Sequence, residues 1–358
     1  MEKFAILTNN QLNLWDDFVY SHPFGWIGHL SSWQRVLGRT TRINNCYNLV
    51  LIDEVTGQIK AGLPLYLTKS LTFKRKLIGA PLTTIYDPLI STQEQMDSLL
   101  KMAKDLLKSS GGSELRIKAL QSTAFFNDPT LIKDNEFRYH YLDLGQDLEV
   151  IWKNAHRSCI RQHVNKAEKN GVVVRLADNE NDLKTFYRLY ASTRKRNGLP
   201  AIPYAYFESI WDIYKPKGYV YFLLALYNNS TISALMAFRF KNRFSAEAIG
   251  WDMNFKWLTP SAITFWQAIK LAKELGCISF DFGRTSIQNN NLIAFKRHWG
   301  TKEIEMPQFV YKVSKSIPLP ENIKEESIKK DIASSFLTHC PNFFFEKVGN
   351  FYYRYFTS

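Results

Sequence analysis

At 358 residues the chain is too long for most single cores and suits two domains of roughly 150 residues plus an extension. With 45% hydrophobic and 15% aromatic residues it is globular and no disordered scaffold, and a formal charge of +13 favours polyanionic partners: RNA, nucleotide diphosphates or an anionic membrane surface. No run of roughly 18 apolar residues occurs, the N terminus lacks a signal-peptide core, and Cys46, Cys159, Cys277 and Cys340 show neither C-x-x-C nor paired Cys/His spacing. Neither a zinc site nor a disulfide framework is indicated, no cofactor is expected, and the expected location is cytoplasmic.

The predicted elements begin with short helices at Asn13 to Tyr20 and Ser31 to Leu37, then a hairpin from Tyr47 to Thr68 turning at Thr56-Gly57. A helix over Gln93 to Leu107, the pair Gly111-Gly112 and a strand over Glu114 to Leu120 complete the first half. The second half repeats that order. Helices at Leu183 to Arg196 and Tyr204 to Tyr214 precede a hairpin from Tyr219 to Phe240 broken at Asn228-Asn229, a strand over Arg243 to Trp251, a helix opened by Pro260 and stopped by Gly276, and a strand over Cys277 to Phe282. Residues also repeat: Lys101 to Leu106 matches Lys270 to Leu275, and Ile59 to Leu63 matches Ile232 to Met236, separated by 42 residues in one copy (101 − 59) and 38 in the other (270 − 232). The expectation is an α/β (α+β) chain of two tandem copies of one mixed unit, each with a largely antiparallel sheet: residues 1–145, residues 146–313, and a C-terminal helical tail over 314–358.

The segment from Phe280 to Gly300 concentrates the chemistry. A buried strand end is followed by Gly283, read as a sharp exit, and by an Asn-rich turn into a short helix, placing Asp281, Arg284 and Lys296 near one mouth, where open α/β folds bind ligands. Asp281 and Arg284 read either as a structural ion pair or as site residues. Asn154 to Asn170 reads as a basic helix with Arg157 and Arg161 on one face, suited to phosphate contact or to a solvated surface; Arg194 and Arg196 invite the same two readings. Cys159 lies among His156, Arg157, Arg161 and His163 as a nucleophile or, more simply, as a buried thiol.

Hairpin, strand, helix, strand is the order of GNAT-type acyltransferases, and several segments resemble the FemABX family of peptidyl and aminoacyl transferases, in particular its envelope and exopolysaccharide branch. They are His22-Pro23 with Ser32-Trp33, Gly62 to Leu65, Tyr86-Asp87-Pro88, Arg157 to Gly171, Thr193 to Pro200, Phe280 to Arg284 and Phe295 to Gly300. The resemblance implies tandem GNAT-like domains, the first on the acceptor side and the second on the donor side. It implies transfer of an activated acyl group, often an amino acid esterified to tRNA, to an amine on a nucleotide- or lipid-linked glycan or peptide precursor of the cell wall. Phe295-Lys296 matches the family's catalytic pair, with Lys296 stabilising the tetrahedral oxyanion and Phe295 shaping the acyl channel. Trp33, Tyr86 and Asp87 would line the acceptor cleft or pack within the protein, and Tyr204 and Trp299 complete the expected substrate-contacting set.

Acyl-CoA enzymes of this fold carry a glycine-rich phosphate turn, and the corresponding Asn254 to Ser261 contains no glycine. That favours aminoacyl-tRNA over coenzyme A, although Lys256 and the helix N terminus after Pro260 are placed to meet a phosphate. N-acylation of an amino sugar from acyl-CoA or a carrier thioester stays open, as does a noncatalytic glycan- or RNA-binding role. Beyond Ser314 a Pro-bounded, Lys/Glu-rich stretch leads to aromatic residues interleaved with Lys347 and Arg354, which suit either a membrane interface or a packed helix.

Overall fold

The computed structural model describes residues 2–41, 43, 45–69, 74–313 and 334–355. Compact packing divides it into two units: residues 2–137 with 305–313 and 352–355, and residues 138–304 with 334–351. The first divide therefore falls after Phe137, ahead of the expected 145, and residues 305–313 group with the first unit. The Lys/Glu-rich stretch expected at the start of the tail lies outside the described residues.

The first unit holds a seven-stranded sheet in the order β1 (Glu2–Ile6), β2 (Cys46–Asp53), β3 (Ile59–Lys69), β4 (Arg75–Ile78), β5 (Glu114–Lys118), β14 (Gln308–Lys312), β6 (Ile132–Asp134). All of its pairs are antiparallel except β4 with β5. Between those two strands runs helix α3 (Gln93–Ser109), opened by Thr92, whose side chain accepts from Gln95 N. Its Met96, Leu99, Leu100, Ala103 and Leu107 recur at helical spacing and bury against Leu63, Leu65, Leu77 and Leu115 of the sheet.

The second unit repeats this plan. Its sheet runs β8 (Val173–Leu176), β9 (Val220–Tyr227), β10 (Ser230–Phe240), β11 (Arg243–Trp251), β12 (Ser279–Ser286), β7 (Phe137–Asp143), β13 (Lys302–Glu305). Position by position it matches the first sheet, including one parallel pair, β11 with β12, joined through helix α8 (Pro260–Glu274). The β9–β10 turn places Asn228 and Asn229 at φ 47° and 61°, the left-handed pair that a two-residue hairpin needs. Helix α8 ends at Gly276, where Cys277 N donates to Ala272 O at 2.9 Å and Gly276 sits at φ 74°. The expectation of two tandem copies of one mixed unit is met.

The sequence reading lacks one feature. Strand β7 follows the first copy yet lies in the second sheet, whereas β14 follows the second copy yet lies in the first. The residues that both strands pair with are distant in sequence, so no local pattern assigns either strand to its sheet. The exchange carries a prediction. Residues 146–313 expressed alone lack β7 and with it Leu142 and Leu144 of the second core, and leave one edge of β12 without its neighbour. That fragment is expected to aggregate or to show no cooperative melt by circular dichroism, and a soluble, cooperatively folded fragment would refute the assignment.

Candidate active site at the split of the second sheet

Strands β11 and β12 pair only at Arg243 with Ser279, Phe244 with Phe280 and Ser245 with Asp281. Beyond that point both continue, β11 to Trp251 and β12 to Ser286, with no further register between them. Gly283, expected to end the strand, lies inside it at φ 69°, a conformation that costs a glycine little and other residues more. Near the split lies a cleft of about 450 Å³, lined by Trp251, by Thr259, Pro260 and Ser261 at the start of α8, and by Phe295 and His298. Lys256 also lines it, as its expected phosphate role requires.

Helix α9 (Asn290–Arg297), capped by Asn289 accepting from Leu292 N, carries Phe295 and Lys296. Phe295 packs against Phe265 while presenting to the cleft. Lys296, the next residue, is 4% exposed. Its Nζ donates to Gly283 O at 2.8 Å and to Arg284 O at 3.4 Å. Burial lowers its pKa to about 8, against the charges of Asp281 and Glu247, which favour the ammonium. An ammonium has three donors, so one N–H remains beyond the two carbonyls.

Asp281 is fully buried. Its Oδ1 accepts from Ser245 Oγ at 2.7 Å and from Gly283 N at 3.0 Å. Burial raises its pKa, opposed first by Arg243 and then by the Ser245 hydroxyl. The nearby Tyr139 is held well above its usual range by burial and then by the Asp281 charge. His140, also on β7, is fully buried; burial, Lys296 and Arg297 push its pKa down to about 4, so it stays neutral. Tyr139 and His140 on β7 and Ser245 and Glu247 on β11 form surroundings absent from the sequence reading, because strand partners distant in the chain bring them to Asp281 and Lys296.

The Asp281 charge supports the charge on Lys296, which gives a test. Asp281→Asn is expected to lower the Lys296 pKa below about 8 and to move the alkaline limb of any Lys296-dependent reaction to lower pH. A pH–rate profile measures this, and an unmoved limb would detach Asp281 from Lys296.

Other expected contacts are placed differently. Trp299 is fully buried against Phe265, Phe282 and Phe295, a core residue and not a substrate contact. Arg157 and Arg161 lie on a π-helical turn, Arg157–Arg161, that runs directly into α5 (Gln162–Lys169), so the expected basic helix is present over residues 157–169 and is separated by Ala155 and His156 from the helix that ends at Asn154. Arg157 is exposed; neither arginine lines the cleft. On α6 (Glu180–Arg196), Arg194 Nε donates to Pro200 O at 3.0 Å, holding the turn at Gly198, and Arg196 stacks 4.4 Å over the ring of Trp251, backing a cleft wall. Tyr204 opens α7 (Tyr204–Tyr214) and packs edge-on against Tyr187, away from the cleft.

In the first unit Trp33, Tyr86 and Asp87 are fully buried. Trp33 Nε1 donates to Pro81 O at 3.1 Å, and Tyr86 donates to Pro64 O at 2.9 Å while stacked on His29. Asp87 Oδ1 accepts from Leu120 N, Gln121 N, Ser122 N and Ser122 Oγ at 2.7–2.9 Å. The acceptor-cleft reading is corrected: the three residues build the packing of residues 79–92 across the ends of β4 and β5. Lys118 adds to it, donating to Ala80 O and Thr83 O.

Residues 154–297 match the Acetyltransferase (GNAT) domain family. Among solved structures, the crystal structure of FemX aligns over 92% of this chain and 100% of its own at a TM-score of 0.67 and 16% identity. The chain has the FemABX-like tandem GNAT fold. The structure of L-PGS from Bacillus licheniformis aligns over 94% of this chain and 99% of its own length, at a TM-score of 0.55 and 13% identity. A tandem GNAT protein from the clavulanic acid biosynthesis pathway aligns over 88% and 100%, at 0.55 and 11%. No curated protein matches the sequence. A GNAT domain implies, in general terms, an acyl donor and an amine acceptor.

Proposed function

We propose that this chain forms an amide by moving an aminoacyl or acyl group from an activated donor to an amine on a cell-envelope, peptidoglycan or exopolysaccharide precursor. The observation that carries this reading is Lys296, a buried cation one residue from Phe295, whose ring faces the cleft. Attack of the amine on an ester or thioester carbonyl produces a tetrahedral oxyanion, and the free N–H of Lys296 is the donor for it. Collapse of that intermediate breaks the bond to the donor's alcohol or thiol, which leaves with a proton, and leaves the amide. Without a covalent enzyme intermediate, rate comes from holding both substrates in line. Aminoacyl-tRNA is the first-choice donor, supported by the glycine-free Asn254 to Ser261 turn; Lys256 and the α8 N terminus at the cleft keep a phosphate-bearing thioester donor as the second reading.

The test is transfer of labelled amino acid from a mixed pool of charged tRNAs into an envelope-precursor extract, with and without ribonuclease. Ribonuclease-sensitive transfer absent from Lys296→Ala supports the reading. No transfer in an extract shown to contain precursors moves the donor to a thioester, and no transfer from thioesters either leaves a binding role.

We further propose peripheral membrane contact through the C-terminal helices α10 (334–339) and α11 (Asn342–Tyr355). On α11, Phe345 is buried and a side chain on Gly349 would meet Ala201 O at 2.4 Å, so one face is packed. Phe336, Phe343, Phe344 and Phe351 are 47–57% exposed, with Lys347 among them. The chain is expected to co-sediment with anionic vesicles and less so as Phe343→Ser/Phe344→Ser; equal sedimentation of the two would discard the contact. Among the described residues no helix is long and apolar enough to cross a membrane.

A further inference from the structure

Three side chains that the proposed transfer leaves unused meet beside the cleft. His156 caps the π-helical turn, Cys159 lies within that turn, and His298 follows α9. Their ligating atoms all lie within 4.8 Å of one another, and no other such His/Cys/Asp/Glu group occurs among the described residues. The backbone ties the two segments together: His156 N donates to His298 O at 2.7 Å, and Gly300, at φ 75°, has room for no side chain without crowding Asn154.

We infer that His156, Cys159 and His298 form a binding site for one zinc-like divalent cation. One thiolate and two imidazoles are a borderline-soft set suited to zinc. Bonds of about 2.0–2.3 Å in a tetrahedron place ligand atoms about 3.5 Å apart, a contraction within reach of side-chain rotation at these surface positions. His156 Nδ1 now accepts from Cys159 N at 3.2 Å and lies 3.3 Å from Ser158 Oγ. Ligation through Nε2 moves the ring proton to Nδ1, where Ser158 Oγ accepts it in place of the long cap bond, the outer-shell arrangement metal-binding histidines use. The thiol proton is released to solvent as the sulfur–metal bond forms. Cys159 and His298 both line the cleft, so the fourth coordination position faces it and takes an oxygen or sulfur ligand there. His156 and Cys159 lie three residues apart, but His298 comes from a distant segment, so spacing alone does not bring the third ligand to them.

The inference does not depend on which acyl donor is used, and its test does not read activity. Full-length, reduced, chelator-stripped protein is titrated with cobalt(II) and then with zinc. The expected result is a sulfur-to-cobalt charge-transfer band at one equivalent, with tetrahedral d–d absorption, both lost on adding zinc. Cys159→Ser should abolish the charge-transfer band while Cys46→Ser keeps it. His298→Gln should weaken zinc binding by at least the ~10–100-fold that loss of an outer-shell partner costs. Absence of the band in the wild-type chain, or its persistence in Cys159→Ser, overturns the site. Should Cys159→Ser fail to fold by circular dichroism, unchanged zinc affinity in His298→Gln overturns it equally.

Discussion

Lys296→Met is expected to reduce kcat by about 10²–10³-fold with little change in KM, the loss seen when one oxyanion donor is removed. Lys296 is buried with two of its donors held by backbone carbonyls, and in the proposed transfer its remaining N–H becomes useful when charge develops on the carbonyl oxygen, which acts on kcat more than on KM. Two further readouts separate this from simple misfolding. The wild-type rate should fall as pH rises through about 8, because the ammonium is the active form, while the acceptor amine, active when unprotonated, sets the acid limb. Stability runs the other way. Lys296 binds its proton less well folded than unfolded, so the unfolded chain holds more protons between about pH 8 and the ordinary lysine range, and stability rises with pH across that window. The depressed pKa corresponds to a cost on the order of 3 kcal/mol at neutral pH. Methionine removes that cost but also removes the hydrogen bond to Gly283 O and the cation beside Asp281, opposing terms of similar size, so the variant should stay folded at pH 7 with a melting temperature near that of wild type. A variant that keeps kcat, or that loses activity only because it is unfolded, would remove Lys296 from the mechanism.

Asp87→Ala should be the most destabilising polar substitution in the first unit, by on the order of 3 kcal/mol or more. One carboxylate oxygen gathers three consecutive backbone N–H groups and a hydroxyl in a fully buried setting, and truncation leaves those donors with no acceptor. Chemical denaturation read by Trp fluorescence measures it. If Asp87→Ala kept full stability and lost only activity, the residue would return to a substrate role.

The same residue shows how far the sequence could be read. Asp87 beside Tyr86 carries the chemistry of a sugar- or peptide-binding pair, and nothing local distinguishes that from a carboxylate closing a loop; the donors it meets lie at 120–122. Signals that act locally were legible. Asn228-Asn229 set the hairpin turn, Pro260 and Gly276 bound α8, and the predicted limits of α7 and β11 coincide with the observed ones. The duplication was legible too, from hairpin and helix matches. What was not legible depends on distant partners: strands β7 and β14, the burial of Lys296 and Trp299, and the meeting of Cys159 with His298. Gly283 illustrates the boundary, since its freedom was apparent but its use inside a strand depends on Asp281 and Lys296 accepting and donating around it.

The exchange of β7 and β14 governs how the molecule can be born. When a ribosome has delivered the whole first copy, the first sheet has six of its seven described strands, because β14 follows the second copy. Proteins of this size commonly fold from the N terminus during synthesis; here the first unit must wait for the second copy's closing residues before its sheet is complete, and a message truncated shortly after α9 would lack β13 and β14 and leave each sheet one strand short.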